Sequence, residues 1–170
     1  MINHKELGKE IFEACKRVSL SFIEDLNKPK IKDFSGITPD DIDSKEVMIS
    51  FMWLVFDLIN RLENPERFKD VVNSMHAAFL TYHNINKNMA DNEMQLLSLR
   101  YEEYREPFNK YLLKESDMLY LASIITKNIC KKCKKSGVCI HVFLQFSLGT
   151  SIGAFIIAFG KDFIQMLKNT

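Results

Sequence analysis

Glycine and proline are scarce, at six and four in 170 residues. That argues against collagen-like and all-β architectures, which lean on both for turns. No stretch alternates cleanly between apolar and polar residues, and there is no Asn-Gly or Asp-Gly hairpin turn. Bulk charge is also missing. Twenty-three Lys and Arg against 22 Asp and Glu leave +1, so no overall field steers the chain to nucleic acid. The first ten residues are charged and lack the apolar core of a secretion signal, so the reading places the chain in the cytoplasm. Four cysteines are then expected to be reduced or bound to metal. Phosphate-loop, dinucleotide, nucleophile-elbow and His-Glu-x-x-His motifs are all absent.

What the chain does have is hydrophobic content, 46%, arranged at helical spacing. One domain of this size buries enough apolar surface for a core without covalent staples. The expectation is an all-α, single-domain bundle over residues 1–170, of about six helices, with a central apolar C-terminal helix.

Residues 4–27 put Leu7, Ile11, Ala14, Cys15, Val18, Phe22 and Leu26 on one helical face. Pro29, Gly36 and Pro39 mark 28–43 as a loop. Asp43 and Glu46 resemble a capping box for a second helix, apolar on most sides from Val47 to Leu62 and therefore central. Asn64-Pro65 starts a third helix carrying Phe68, Val71, Val72, Met75, Phe79, Tyr82 and Ile85, which frays near Asn84–Asn88. Asp91 or Asn92 caps a fourth, with Met94, Leu97, Tyr101, Tyr104, Phe108 and Tyr111 on one face and Pro107 expected to kink or end it. Ser116 caps a fifth, with Met118, Leu121, Ala122, Ile125 and Ile129 inward, and Gly137 closes it. A last helix covers about 139–168. The second and sixth helices form the expected core pair.

Three features could carry function. Cys130-x2-Cys133-x5-Cys139-x-His141 supplies three thiols and an imidazole, a donor set suited to tetrahedral zinc. Neighbouring lysines in this 130–139 loop favour thiolate. The competing reading is a helix end decorated with Lys, which complements the helix dipole, around half-buried cysteines. Next, Ile140 to Gly160 contains no Asp, Glu, Lys or Arg and would span roughly 30 Å as a helix, the thickness of a bilayer core. Its Gly149-x3-Gly153 spacing lets helices approach closely. A buried helix at a self-association surface is the preferred reading, with Gly149, Gly153 and Phe155 as association residues; a tail anchor is the alternative. Finally, Ser50, Asp57 and Arg61 form a polar stripe on the apolar second helix, and Asp57 and Arg61, at i, i+4, can pair beside a polar pocket.

His76 and His83 are seven apart and read as edge or surface histidines. Tyr101, Tyr104, Tyr111 and Tyr120, with Phe108, read as core rather than as a ligand groove. Arg100 and Arg105 among Glu102, Glu103 and Glu106 read as a solvated face with short-range pairs. The leading function is a non-enzymatic interaction or regulatory module that self-associates or binds another protein. The alternatives are a zinc-binding module, a tail-anchored membrane protein, and a small-ligand enzyme with a pocket around Asp57, Arg61 and the tyrosines.

Overall fold

The computed structural model describes residues 3–29, 37–61, 65–113, 118–131, 144–145 and 147–157. These form an all-α bundle: α1 (His4–Leu26), α2 (Ser44–Asn60), α3 (Lys69–Tyr82), α4 (Lys87–Leu113), α5 (Met118–Ile129) and α6 (147–157). Short 3-10 turns, Pro39–Asp41 and Pro65–Phe68, precede α2 and α3. The described residues contain no strand, only an isolated antiparallel bridge between Ile42 and Cys130. Ser116, Cys133, Gly137, Cys139 and His141, and the side chains of Tyr111 and Met118, lie outside the described residues.

The central element is α2. Val47, Ile49, Phe51, Met52, Leu54, Val55 and Ile59 are fully buried, so burial runs around the whole helix. Its aromatic side chains reach different neighbours. Phe51 meets Phe155 of α6 edge-on at 5.3 Å, one ring contact between the second helix and the described part of the last. Trp53 packs edge-on against Tyr104 and Phe108 of α4, at 5.4 and 5.0 Å. Phe56 lies 4.7 Å from Tyr101 of α4 and 6.4 Å from His76 of α3. Such offset and edge contacts add to the burial of large rings.

Helix starts follow from local chemistry. Asn3 caps α1 through its side-chain oxygen, which accepts from Lys5 N at 3.1 Å. Asp43 caps α2 by accepting from Glu46 N at 3.3 Å. The return half of the expected box is replaced by an ion pair, because Glu46 turns to Arg100. Pro65 does begin a helical turn, but as 3-10, and α3 proper starts at Lys69. The α4 cap is Asn86 rather than Asp91 or Asn92: its Oδ1 accepts from Met89 N at 3.1 Å. Pro107 does not end α4, which continues to Leu113, although it cannot donate to the Glu103 carbonyl.

The end of α3 comes where Asn density suggested. Asn84 has φ 53, and Asn84 N and Ile85 N donate to Thr81 O and Leu80 O at 3.1 and 2.9 Å. This is a Schellman closure with Asn in the left-handed place. α1 and α3 approach each other at Gly8, where an added Cβ would stand 2.3 Å from the Val71 carbonyl oxygen and 2.7 Å from Ser74 Cβ. Ser74 Oγ also donates to Lys5 O at 2.6 Å. At the other side, Asp43 N donates to Ile129 O at 2.7 Å, tying the α2 entry to the end of α5.

Candidate functional site: an open groove beside α1 and α3

The Asp57–Arg61 pair exists. Arg61 Nε donates to Asp57 Oδ2, Nη2 donates to Asn109 Oδ1 at 2.6 Å, and the guanidinium lies 5.3 Å from the centre of the Phe108 ring. The pair is a clasp at the bundle edge between α2 and α4. Ser50 is buried and donates to Val47 O at 2.7 Å, apart from that clasp.

Cys130 is buried beside the Ile42 bridge. The other three expected zinc ligands, Cys133, Cys139 and His141, fall outside the described residues. Among the described residues no three His, Cys, Asp or Glu side chains converge as a metal site, and no helix is long and apolar enough to cross a membrane. Gly149 and Phe155 are buried and Gly153 is half-buried. Phe155 is engaged within its own chain by Phe51.

His76 departs from expectation. It is buried, and its Nε2 shares a 3.0 Å hydrogen bond with the Tyr101 hydroxyl. Burial lowers its pKa to about 4, so it is neutral at physiological pH. The same burial raises Tyr101, and lifts the Cys15 thiol to about 12, which leaves it a poor nucleophile. His83 is half-buried and lowered too, first by desolvation and then by Lys45, with Glu93 and Asp43 opposing.

The charged face of α4 is only partly solvated. Arg105 pairs with Glu102 at 3.0 Å as expected. Arg100 instead crosses to α2, donating to both carboxylate oxygens of Glu46, with Nε to Oε2 and Nη2 to Oε1 both at 2.9 Å. It also donates to Glu103 at 3.2 Å. Asn128 of α5 donates to Glu103 Oε2 at 2.9 Å and to the Tyr104 hydroxyl at 3.2 Å. The Glu46 pairing raises the Arg100 pKa further, and burial raises Tyr104. This network ties α2, α4 and α5 together. Tyr101 and Tyr104 are core, as expected, while Tyr120 is exposed.

The open feature lies along α1 and α3. A groove of about 500 Å³ is lined by Lys9, Phe12 and Glu13 on one side and by Ser74, Ala77, Ala78, Thr81 and Tyr82 on the other. Neither it nor the hollow beyond it includes Asp57, Arg61 or the α4 tyrosines. The floor is Phe12, whose ring is 5.8 Å from that of Tyr82. Lys16 Nζ stands 5.0 Å from the centre of the Tyr82 ring and pairs with Glu13 at 2.6 Å. Tyr82, 43% exposed, divides the groove from a more polar hollow of about 420 Å³ that includes Leu20, Met48 and His83. Leu20 is itself 41% exposed.

One signal for this surface was present in the sequence. Residues 71–86 contain no Asp, Glu, Lys or Arg, yet Asn73, Ala77, Thr81 and Tyr82 are exposed. A surface helix normally carries charge on its outer face. Set beside known proteins, the chain matches no family model, no curated sequence and no solved structure.

Proposed function

We propose that this chain is a non-enzymatic helical interaction module and that the α1–α3 groove is where another protein chain docks. The observation that carries the reading is an open channel with an aromatic floor and one small, uncharged wall: Phe12 below, Ala77 and Ala78 of α3 beside it, Tyr82 at its end, with Lys9 and Glu13 on the α1 side. Depletion of charge with an exposed aromatic anchor is the composition of interface centres. Small side chains let a helix backbone come close. The titratable groups at the core of the bundle support a structural reading. His76 is neutral and hydrogen-bonded to Tyr101, and the Cys15 thiol is held protonated.

A photo-crosslinking residue in place of exposed Ala77, set against one in place of exposed Glu102, tests the reading in cells. Adducts with a protein at position 77 and not at 102 are the expected result. Equal or absent adducts at 77 would overturn it. The zinc alternative rests on Cys130, Cys133, Cys139 and His141, and metal content of anaerobically purified protein decides it: about one zinc per chain, lost on Cys133→Ser, is what it requires.

A further inference from the structure

We infer that His76 and Tyr101 form an acid-released latch: when His76 takes up a proton, the second half of α3, residues 76–82, comes away from α4. The pair joins the two helices through one buried hydrogen bond of 3.0 Å. Among the described residues it is the only hydrogen bond or ion pair between α3 and α4. The first half of α3 is held differently. Ser74 Oγ donates to Lys5 O, and Gly8 lets α1 pack directly on the backbone at Val71. Beyond His76, Phe79 is the one fully buried residue of the helix, and Ala77, Thr81 and Tyr82 are exposed.

No neighbour of His76 compensates a cation. α2 presents the Phe56 ring, 6.4 Å away, and α4 presents the Tyr101 phenol. α1 brings the Cys15 thiol within electrostatic reach of that phenol. Burial is the only influence on the proton affinity of His76, so no carboxylate among the described residues faces it. An imidazolium there is an unpaired buried charge and must reach water. At 8% exposure His76 lies just below the surface, so an outward turn of α3 is enough. That turn strands the Tyr101 hydroxyl in the interior, which keeps the latch shut while the histidine is neutral. His83, just past the helix, is a separate case: it is desolvated and faces Lys45, Glu93 and Asp43. Since 76–82 includes the Ala77, Ala78, Thr81 and Tyr82 wall of the groove, acid reshapes that surface whatever docks there.

Hydrogen exchange of the full chain at pH 7 and pH 4.5, corrected for the intrinsic rate and read by mass spectrometry, tests the latch. A histidine that binds its proton near 6.5 when released and near 4 when buried should raise the released population about fiftyfold between those two conditions. Residues 76–82 should exchange faster by that factor at pH 4.5, at labelling times that leave 47–55 of α2 protected. His76→Gln, which can still hydrogen-bond Tyr101 but does not titrate, should lose most of the acceleration. Tyr101→Phe should loosen 76–82 already at pH 7 and keep the response to acid. No acceleration in the native chain overturns the inference. So does release of 76–82 only together with 47–55, which is global unfolding. An acid response retained in His76→Gln overturns it by assigning the response to His83. Unchanged exchange at pH 7 in Tyr101→Phe overturns it by showing that the hydrogen bond does not hold α3. None of these outcomes involves an occupant of the groove, so docking at Ala77 and the latch stand or fall separately.

Discussion

His76 Nε2 and the Tyr101 hydroxyl are 3.0 Å apart in the interior, where α3 and α4 face each other beside Phe56. A histidine in that position makes the fold sensitive to acid. In the unfolded chain His76 takes up a proton near its ordinary value of 6.5; in the folded chain it resists until about 4. The unfolded state therefore binds more protons between those values, and stability falls as pH drops through them. It should be fully present above about 6.5 and reduced by up to about 3 kcal/mol at pH 4. Urea unfolding at pH 7 and pH 4.5 reads this directly. His76→Gln should flatten the dependence, and an unchanged slope in that variant would assign the acid sensitivity to another group.

The Glu46–Arg100 pair should behave as a partly buried ion pair. Arg100→Ala leaves the Glu46 carboxylate buried without its main partner and should cost about 2–4 kcal/mol. Glu46→Met combined with Arg100→Leu removes both charges and should recover most of that loss. Denaturant midpoints of the two single variants and the double variant check the ordering. A double variant as weak as the singles would mean that Glu103 and Asn128 depend on the pair for their own placement.

Gly8→Ala should destabilise far more than an alanine in a helix normally would. Helix propensity alone favours Ala over Gly by roughly 1 kcal/mol. Here the new Cβ meets a backbone oxygen at 2.3 Å, so α1 and α3 must separate. The net loss should be about 2 kcal/mol, within the usual range for overpacking, and thermal unfolding measures it. A stabilised variant would show that the helices part without cost.

Asn84 occupies a left-handed backbone position. Asn84→Gly should be neutral or slightly stabilising, and Asn84→Ala should cost about 1 kcal/mol, since a Cβ is strained there. Equal midpoints for the two variants would contradict the Schellman closure as the source of the constraint.

The helices themselves were legible because their apolar spacing is local. Leu7, Ile11, Cys15, Phe22 and Leu26 on α1, and Leu121, Ala122, Ile125 and Ile129 on α5, are buried as their spacing demanded. The all-round apolar character of α2 correctly announced the centre of the core. Polar partnerships were not legible, because they join distant segments. Nothing near Glu46 points to Arg100, and nothing near His76 points to Tyr101. Isolated charges and histidines therefore read as surface when they are interior. The start of α4 is not legible, because Asn86, Asp91 and Asn92 are all competent caps and only the path of the chain chooses among them. The groove is not legible from residues that carry chemistry, because its sequence signature is the lack of charge in 71–86.

The placement of α2 has a consequence for the order of assembly. It is sheathed by elements made both before and after it, and the ring that meets Phe51 belongs to α6, the last described helix. A nascent chain that has released α1 to α3 must carry α2 with an uncovered apolar flank until Phe155 and the α4 aromatics arrive. Contacts so distant in sequence close late and slowly. In the interval this apolar helix is also an adhesive one, so synthesis of the later helices, rather than formation of the first, governs escape from aggregation.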